Sequence, residues 1–218
     1  TVTKKIYYKF EKQDRTVSFD KALSEFEQLF DTQVERTTRS DVPVGIFLSG
    51  GIDSSLIASA VAKSAPDTTA FTMRFSESNY DESPLAKEIA HYFGLKHTII
   101  DVPHDNLVKD VSLLLNAFGQ PFGDFSAIPG YQISRSAKSA GVTVILTGDG
   151  ADDLFAGYPT TYLPGVLRHY QKFPYLLREK LWQVSKALPA SHKKLGWEEK
   201  FRRFSYGGLH PYEDAHFF

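Results

Sequence analysis

Apolar residues along this chain come in two patterns that take turns, dense short runs and spaced stripes. From Ser18 or Asp20, Leu23, Phe26, Phe30 and Val34 recur three or four residues apart, with Asp20, Lys21 and Glu25 turned outward. That spacing predicts one helix with a single apolar stripe. Val44, Ile46, Phe47 and Leu48 then crowd together as in a buried strand. Gly50 and Gly51 interrupt the run, and Leu56, Ile57, Ala60 and Val61 resume at helical spacing. Pro66 and Asp67 break the chain before a strand over Thr68 to Phe75. A further helix takes Ser83 as N-cap, Pro84 as first helical residue, Leu85, Ile89 and Phe93 as its apolar face, and Gly94 as its stop. Lys96 to Val102 reads as a third strand. Asp105 caps a helix with Leu107, Val108, Val111, Leu114 and Leu115 facing inward, and Gly119 and Pro121 end it. A turn-rich stretch leads to a helix over Tyr131 to Lys138, closed by Gly141. Val142 to Leu146 is a fourth strand, followed by the turn TGDGADD and a short helical pattern reaching Phe155 and Tyr158.

Strands alternating with helices predict an α/β fold, a parallel sheet with helices on both faces. In such sheets ligands lie beyond the carboxyl ends of the strands, where strand order reverses. The two glycine turns, at 49–55 and 147–153, should therefore share one rim. Three parts are expected: a lead-in segment and helix over 1–41, extended as far as residue 19; the α/β domain over 42–158; and a helical extension over 159–218, broken at Pro164, Pro174 and Pro189.

Composition narrows this picture. The 218 residues are 42% hydrophobic and 23% charged, ordinary for a globular chain. The absence of cysteine excludes disulfides, thiolate metal sites, iron–sulfur clusters and cysteine nucleophiles from this sequence. No apolar run approaches the roughly 18–20 residues of a membrane span, and TVTKKIYYKF lacks the pattern of a signal peptide. No membrane partner and a cytoplasmic location are the expectation. Residues 1–158 hold 15 Lys+Arg against 21 Asp+Glu, whereas 159–218 hold 10 against 5. A basic tail with Trp182, Trp197, Phe201 and Tyr206 could bind nucleic acid. The plainer reading, lysines on the wet face of amphipathic helices, is preferred. The seven histidines show no metal-ligand spacing.

The stretch VPVGIFLSGGIDSS carries chemistry of its own. A strand, a glycine turn and a helix start together direct unpaired N–H groups at one point, where the helix dipole is positive. Ser49 and Ser54 can add hydroxyls. The common phosphate loop with its lysine is absent. Asp53 would repel a triphosphate unless a cation stood between them, which implies Mg2+. The alternative is a tight strand-to-helix connection without a ligand.

SGGIDS resembles the pyrophosphate loop of the N-type ATP pyrophosphatases, the PP-loop enzymes that split ATP into AMP and pyrophosphate. With it stand Asp81–Ser83 (DES), Phe125–Arg135 (FSAIPGYQISR) and Thr147–Tyr158 (TGDGADDLFAGY). Together they are similar to the synthetase domain of glutamine-dependent asparagine synthetases, over most of the chain. The resemblance implies an adenine nucleotide alpha hydrolase-like fold. It also implies ATP-dependent amidation of aspartate by ammonia through β-aspartyl-AMP. It assigns Ser49, Gly50, Gly51, Asp53 and Ser54 to the pyrophosphate, Phe47 and Met73 to the adenine, and Leu48, Thr147 and Gly148 to the nucleotide. Asp53 and Asp152 would hold Mg2+, Asp149 would face the acyl phosphate and the incoming amine, and Tyr158 would line the acyl site. Plainer readings stand beside these: Phe47 and Met73 as core, Asp149 as a turn residue, Asp152 as a helix cap, Tyr158 as packing.

Asp153 stands where the family usually has Glu, and Thr147 where it has Ser. The family's glutaminase domain begins with a catalytic cysteine, so that domain is expected to be missing here and the chain to be a fragment. A downstream lysine of the family would be missing too. Adenylation of another carboxylate and a tRNA-modifying ATP pyrophosphatase remain alternatives, and homodimerisation is left open.

Overall fold

Four strands, β1 (Val44–Phe47), β2 (Thr69–Arg74), β3 (Lys96–Asp101) and β4 (Val144–Leu146), run parallel in the order β3-β2-β1-β4. The computed structural model describes residues 3–9, 16–101, 107–120, 122–124, 126–189 and 196–211, without the side chains of Leu107, Val108, Pro159 and Thr160. Asp105 as a cap, Pro121 as a stop, Val102 as a strand end and Phe125 of the third motif lie outside the described residues. The helices are α1 (Phe19–Thr38), α2 (Ile52–Ser64), α3 (Ser83–Phe93), α4 (Leu107–Phe118), α5 (Ala127–Ser139), α6 (Ala151–Phe155), α7 (Pro159–Tyr170), α8 (Tyr175–Lys186) and α9 (Trp197–Gly207). Among the described residues no helix is long and apolar enough to cross a membrane.

Strand alternation divides the core in two. Ile46, Leu48 and Ala70 pack against Val34 of α1, Ile57, Ala58 and Val61 of α2, and Ala86 and Ala90 of α3. Phe71 packs with Ile133 and Ala137 of α5, joined by Phe47, Met73 and Ile145. Helices thus cover both faces, as the alternation of elements predicts. Gly45 permits this closeness in β1: a Cβ there would lie 2.9 Å from Ile145 and 3.1 Å from the Thr69 carbonyl oxygen.

The sequence reading needs correction at several helices. In α3 the N-cap position falls on Glu82, one residue before Ser83, because Asp81 accepts the Ser83 N–H at 3.0 Å and starts the helix early. Those bonds from Ser83 hold the Asp81 carboxyl below its ordinary value. The buried face of α3 is Ala86 and Ala90, while Leu85 is 52% exposed, since only small side chains fit so close to the sheet. On α4, Val111 and Leu115 are exposed and, among the described side chains, the buried one is Asp110, which accepts a hydrogen bond from Gln132 of α5 at 2.8 Å. α5 begins four residues before the expected Tyr131. Pro164 does not break the chain; it sits within α7, where a proline removes a single N–H from the ladder. In the extension, the rings of Trp182 of α8 and Tyr206 of α9 meet at a tilt of 42° with centroids 4.9 Å apart, so two of the tail's aromatics join its own helices.

His97 of β3 ties the sheet to the first glycine turn. Its Nε2 lies 2.7 Å from the Thr72 hydroxyl, which lies 2.5 Å from the Leu48 carbonyl oxygen. With the hydroxyl donating to Leu48, Nε2 must carry the proton that reaches Thr72. Burial, reinforced by Lys87, lowers the His97 pKa. As pH falls below about 6.5 the unfolded chain takes up the second imidazole proton before the folded chain does. Stability is therefore expected to be full above that pH and to fall progressively below it. Denaturant midpoints measured from pH 8 to 5 check this, and His97→Gln should flatten the slope.

Candidate functional site

β1 and β4 are neighbours with Val44 opposite Val144 and Ile46 opposite Leu146, so both end at the same level. β2 and β3 continue from β1 in one direction and β4 lies on its other side. The reversal of strand order is therefore the gap between β1 and β4. Each of these strands ends in a glycine turn, and the two turns leave the sheet side by side.

The first turn owes its shape to Gly50, with φ of 86° and a Cβ position 3.1 Å from the Ala86 backbone nitrogen and 3.2 Å from Leu85. Both the positive φ and the start of α3 exclude a side chain there. Gly51 takes an ordinary φ of −67° as the N-cap position of α2. Ser49 and Ser54 knit the loop, their hydroxyls 3.0 Å apart, with Ser54 Oγ accepting the Ser49 N–H at 3.2 Å and Ser49 Oγ accepting the Gly51 N–H at 3.2 Å. The helical ladder opens with the Ser55 N–H donating to the Gly51 carbonyl at 3.0 Å. The N–H groups of Ile52, Asp53 and Ser54 precede that ladder, at the positive end of a helix of 13 residues.

The second turn meets the first at Gly148. A Cβ there would lie 3.0 Å from Asp53 Cβ and 3.1 Å from the Ser54 nitrogen. Beyond this contact opens a cavity of about 900 Å3, lined by Asp53, Thr147, Gly148, Asp149 and Asp152 along its polar rim. Asp152 lies in the first turn of α6 while Gly150 occupies the N-cap position, so Asp152 is not the cap of the plainer reading. Its carboxylate folds against Gly157, where a Cβ would fall 1.9 Å from Asp152 Oδ1. Neither Asp53, Asp149 nor Asp152 pairs with a cation among the described residues. Tyr158 reports their shared field: the negative charge of Asp152 first, then Asp153, burial, Asp149 and Asp53, raises its phenol above the ordinary value.

Phe47, Leu48, Met73 and Tyr158 are not among the residues that line this cavity. Phe47 and Met73 are half-buried on the α5 face of the sheet, packed with Phe71. Leu48 is 1% exposed, its N–H donates to the Phe71 carbonyl and its own carbonyl accepts the Thr72 hydroxyl. Leu48 therefore offers a ligand neither side chain nor free N–H. Tyr158 is 46% exposed at the N-cap position of α7.

Two features escape the sequence reading. Gly157 needs to be glycine for Asp152 to fold back, and the signal was its place within the second motif. The cavity's apolar wall comes from α1, whose stripe splits: Val34 packs on the core, Leu23 and Phe26 line the cavity, and Phe30 does both. Phe26 meets Phe155 of α6 edge to face at 5.4 Å. A helix stripe shows that a face is covered, but not by what.

Among the described residues no three His, Cys, Asp or Glu side chains are grouped to hold an ion by themselves. Two carboxylates, Asp53 and Asp152, on one rim fit Mg2+, which commonly takes one or two protein carboxylates and completes its shell with phosphate oxygens and water.

The family model described as Asparagine synthase matches residues 25–211. Asparagine synthetase [glutamine-hydrolyzing] 1 of Bacillus subtilis is 34% identical over 188 residues, 86% of this chain and 30% of that protein. Asparagine synthetase [glutamine-hydrolyzing] 2 of Lotus japonicus is 33% identical over 148 residues, 60% of this chain and 24% of that protein. The chain thus spans about a third or less of the length of these relatives. Among solved structures it is similar to an NH3-dependent NAD synthetase from Campylobacter jejuni, with TM-score 0.41 and 17% identity over 62% of this chain and 60% of that one.

Proposed function

Since the chain belongs to the asparagine synthase family, we propose that it is an ATP-dependent ligase domain which activates a side-chain carboxylate, that of aspartate, as an acyl adenylate and passes it to ammonia. The observation that carries this reading is the meeting of Gly148 with Asp53 and Ser54, which sets two glycine turns on one rim at the reversal of strand order. The N–H groups opening α2, with Ser49 and Ser54, receive the β- and γ-phosphates. Thr147 and Gly148 lie against the nucleotide, with Phe47 and Met73 behind the adenine. Asp53 and Asp152 hold Mg2+, which when bound neutralises phosphate charge and so permits a carboxylate to approach.

The aspartate carboxylate oxygen attacks the α-phosphorus, forming β-aspartyl-AMP and releasing pyrophosphate. Ammonia then forms the C–N bond at the acyl carbon as AMP departs. The protein contributes mainly position and charge. Asp149 accepts the proton that nitrogen loses, and Tyr158 borders the acyl group. In the longer relatives a glutaminase domain would supply ammonia from glutamine.

The test is the fate of ATP. With aspartate, ammonia and Mg2+, the products should be AMP and pyrophosphate in equal amounts, with ADP absent. ADP and phosphate instead would remove the adenylating chemistry. A panel of carboxylates scored for pyrophosphate release separates aspartate from other acyl donors.

A further inference from the structure

Most of the cavity beside Asp53 and Asp149 is larger and more apolar than ammonia requires. Its volume of about 900 Å3 lies near the upper end of the ~300–1,000 Å3 usual for small-molecule sites. Phe19, Leu23 and Phe26 of α1 form one wall and Leu154 and Phe155 of α6 the other. These side chains are far from covered: Phe19 is 78% and Leu154 81% exposed. The formal charges on the lining are all carboxylates, those of Asp53, Asp149 and Asp152, with no Lys, Arg or His among the lining residues.

The apolar wall does not select an occupant, but the charge does. With Asp53 and Asp152 engaged on Mg2+, Asp149 is the lining carboxylate left to meet an entering group: it repels an anion and draws an ammonium group, while an apolar body covers the aromatic wall. We propose that the cavity is a subsite for a primary amine carrying an aryl or branched alkyl body, used as the nitrogen nucleophile in place of ammonia. This rests on the adenylating reading above and changes only its nitrogen donor. The amine enters as its ammonium form and loses one proton to solvent, which frees the nitrogen lone pair. The nitrogen attacks the acyl carbon of the acyl adenylate, the C–N bond forms, and the bond from that carbon to the AMP oxygen breaks. AMP leaves with that electron pair, and the second nitrogen proton passes to Asp149, giving a substituted amide.

The experiment is calorimetric titration of the chain saturated with Mg-ATP, using 2-phenylethylamine, ethylamine and 3-phenylpropionate as probes. 2-Phenylethylamine should bind at least tenfold more tightly than either of the others. Leu23→Lys should weaken it by tenfold or more and leave Mg-ATP affinity unchanged. Leu23 is already 44% exposed, and Leu154→Lys at an 81% exposed position carries the same expectation should the first variant fold poorly. Equal binding of 3-phenylpropionate or ethylamine would overturn the proposal. So would a dimer, seen by sedimentation, that Leu154→Lys dissolves, since a second copy would then be the occupant. A chain that fails to bind Mg-ATP at all overturns the adenylating reading, and this proposal with it.

Discussion

Gly148→Val should lower Mg-ATP affinity by on the order of 100-fold while the sheet stays folded. The Cβ would arrive 3.0 Å from Asp53 Cβ and 3.3 Å from the Asp53 carbonyl carbon, and valine adds two further methyls to that contact. The neighbour that must yield is the backbone opening α2. Displacing a positioned group by about 1 Å commonly costs on the order of 100-fold in function, whereas overpacking costs roughly 1–3 kcal/mol of stability. Gly141→Ala supplies the control. Gly141 has φ of 84° with nothing within 4 Å of its Cβ position, so alanine there adds strain without pushing on either turn. It should cost about 1–2 kcal/mol and leave nucleotide binding intact. Calorimetric titration paired with denaturant unfolding distinguishes the two variants.

Asp53→Ala is the second large effect. Asp53 lines the cavity from the first turn of α2, close to the N–H groups assigned to phosphate. A carboxylate at that place favours a nucleotide only through a cation. Removing it should weaken Mg-ATP by about 10- to 100-fold, corresponding to ~1.4–3 kcal/mol for a charge-assisted contact. It should also abolish most of the difference between ATP with and without Mg2+, because the alanine variant no longer repels bare triphosphate. Asp153→Ala makes the comparison, since Asp153 is exposed and absent from the cavity lining. It should change both quantities much less.

Legibility followed the physics of each element. The β1–turn–α2 unit could be read because a buried parallel strand must be a dense apolar run and a turn of φ 86° must be glycine. The order β3-β2-β1-β4 was open to prediction only as far as alternation implies parallel strands; that both turns meet follows from β4 adding beside β1. Leu85 misled because helical spacing marks apolar residues, while the tight contact of α3 with the sheet admits only Ala86 and Ala90. Asp110 left no signal, as its partner Gln132 is 22 residues away and no local pattern marks the pair. Gly45 and Gly157 are required by neighbours distant in sequence or folded back upon them, which spacing does not record. Of the candidate site, the residues bunched in two short motifs were legible together. Phe47, Leu48 and Met73 were harder, since a strand end and an adenine wall ask for the same side chains.

Titration of the unaltered chain with ATP, once in excess Mg2+ and once in EDTA, examines the central claim most directly. Two turns that hold a triphosphate through a cation on Asp53 and Asp152 predict saturable, one-to-one binding with Mg2+ and at least tenfold weaker binding without it. Equal affinity in the two buffers, or no saturable heat in either, would contradict the account.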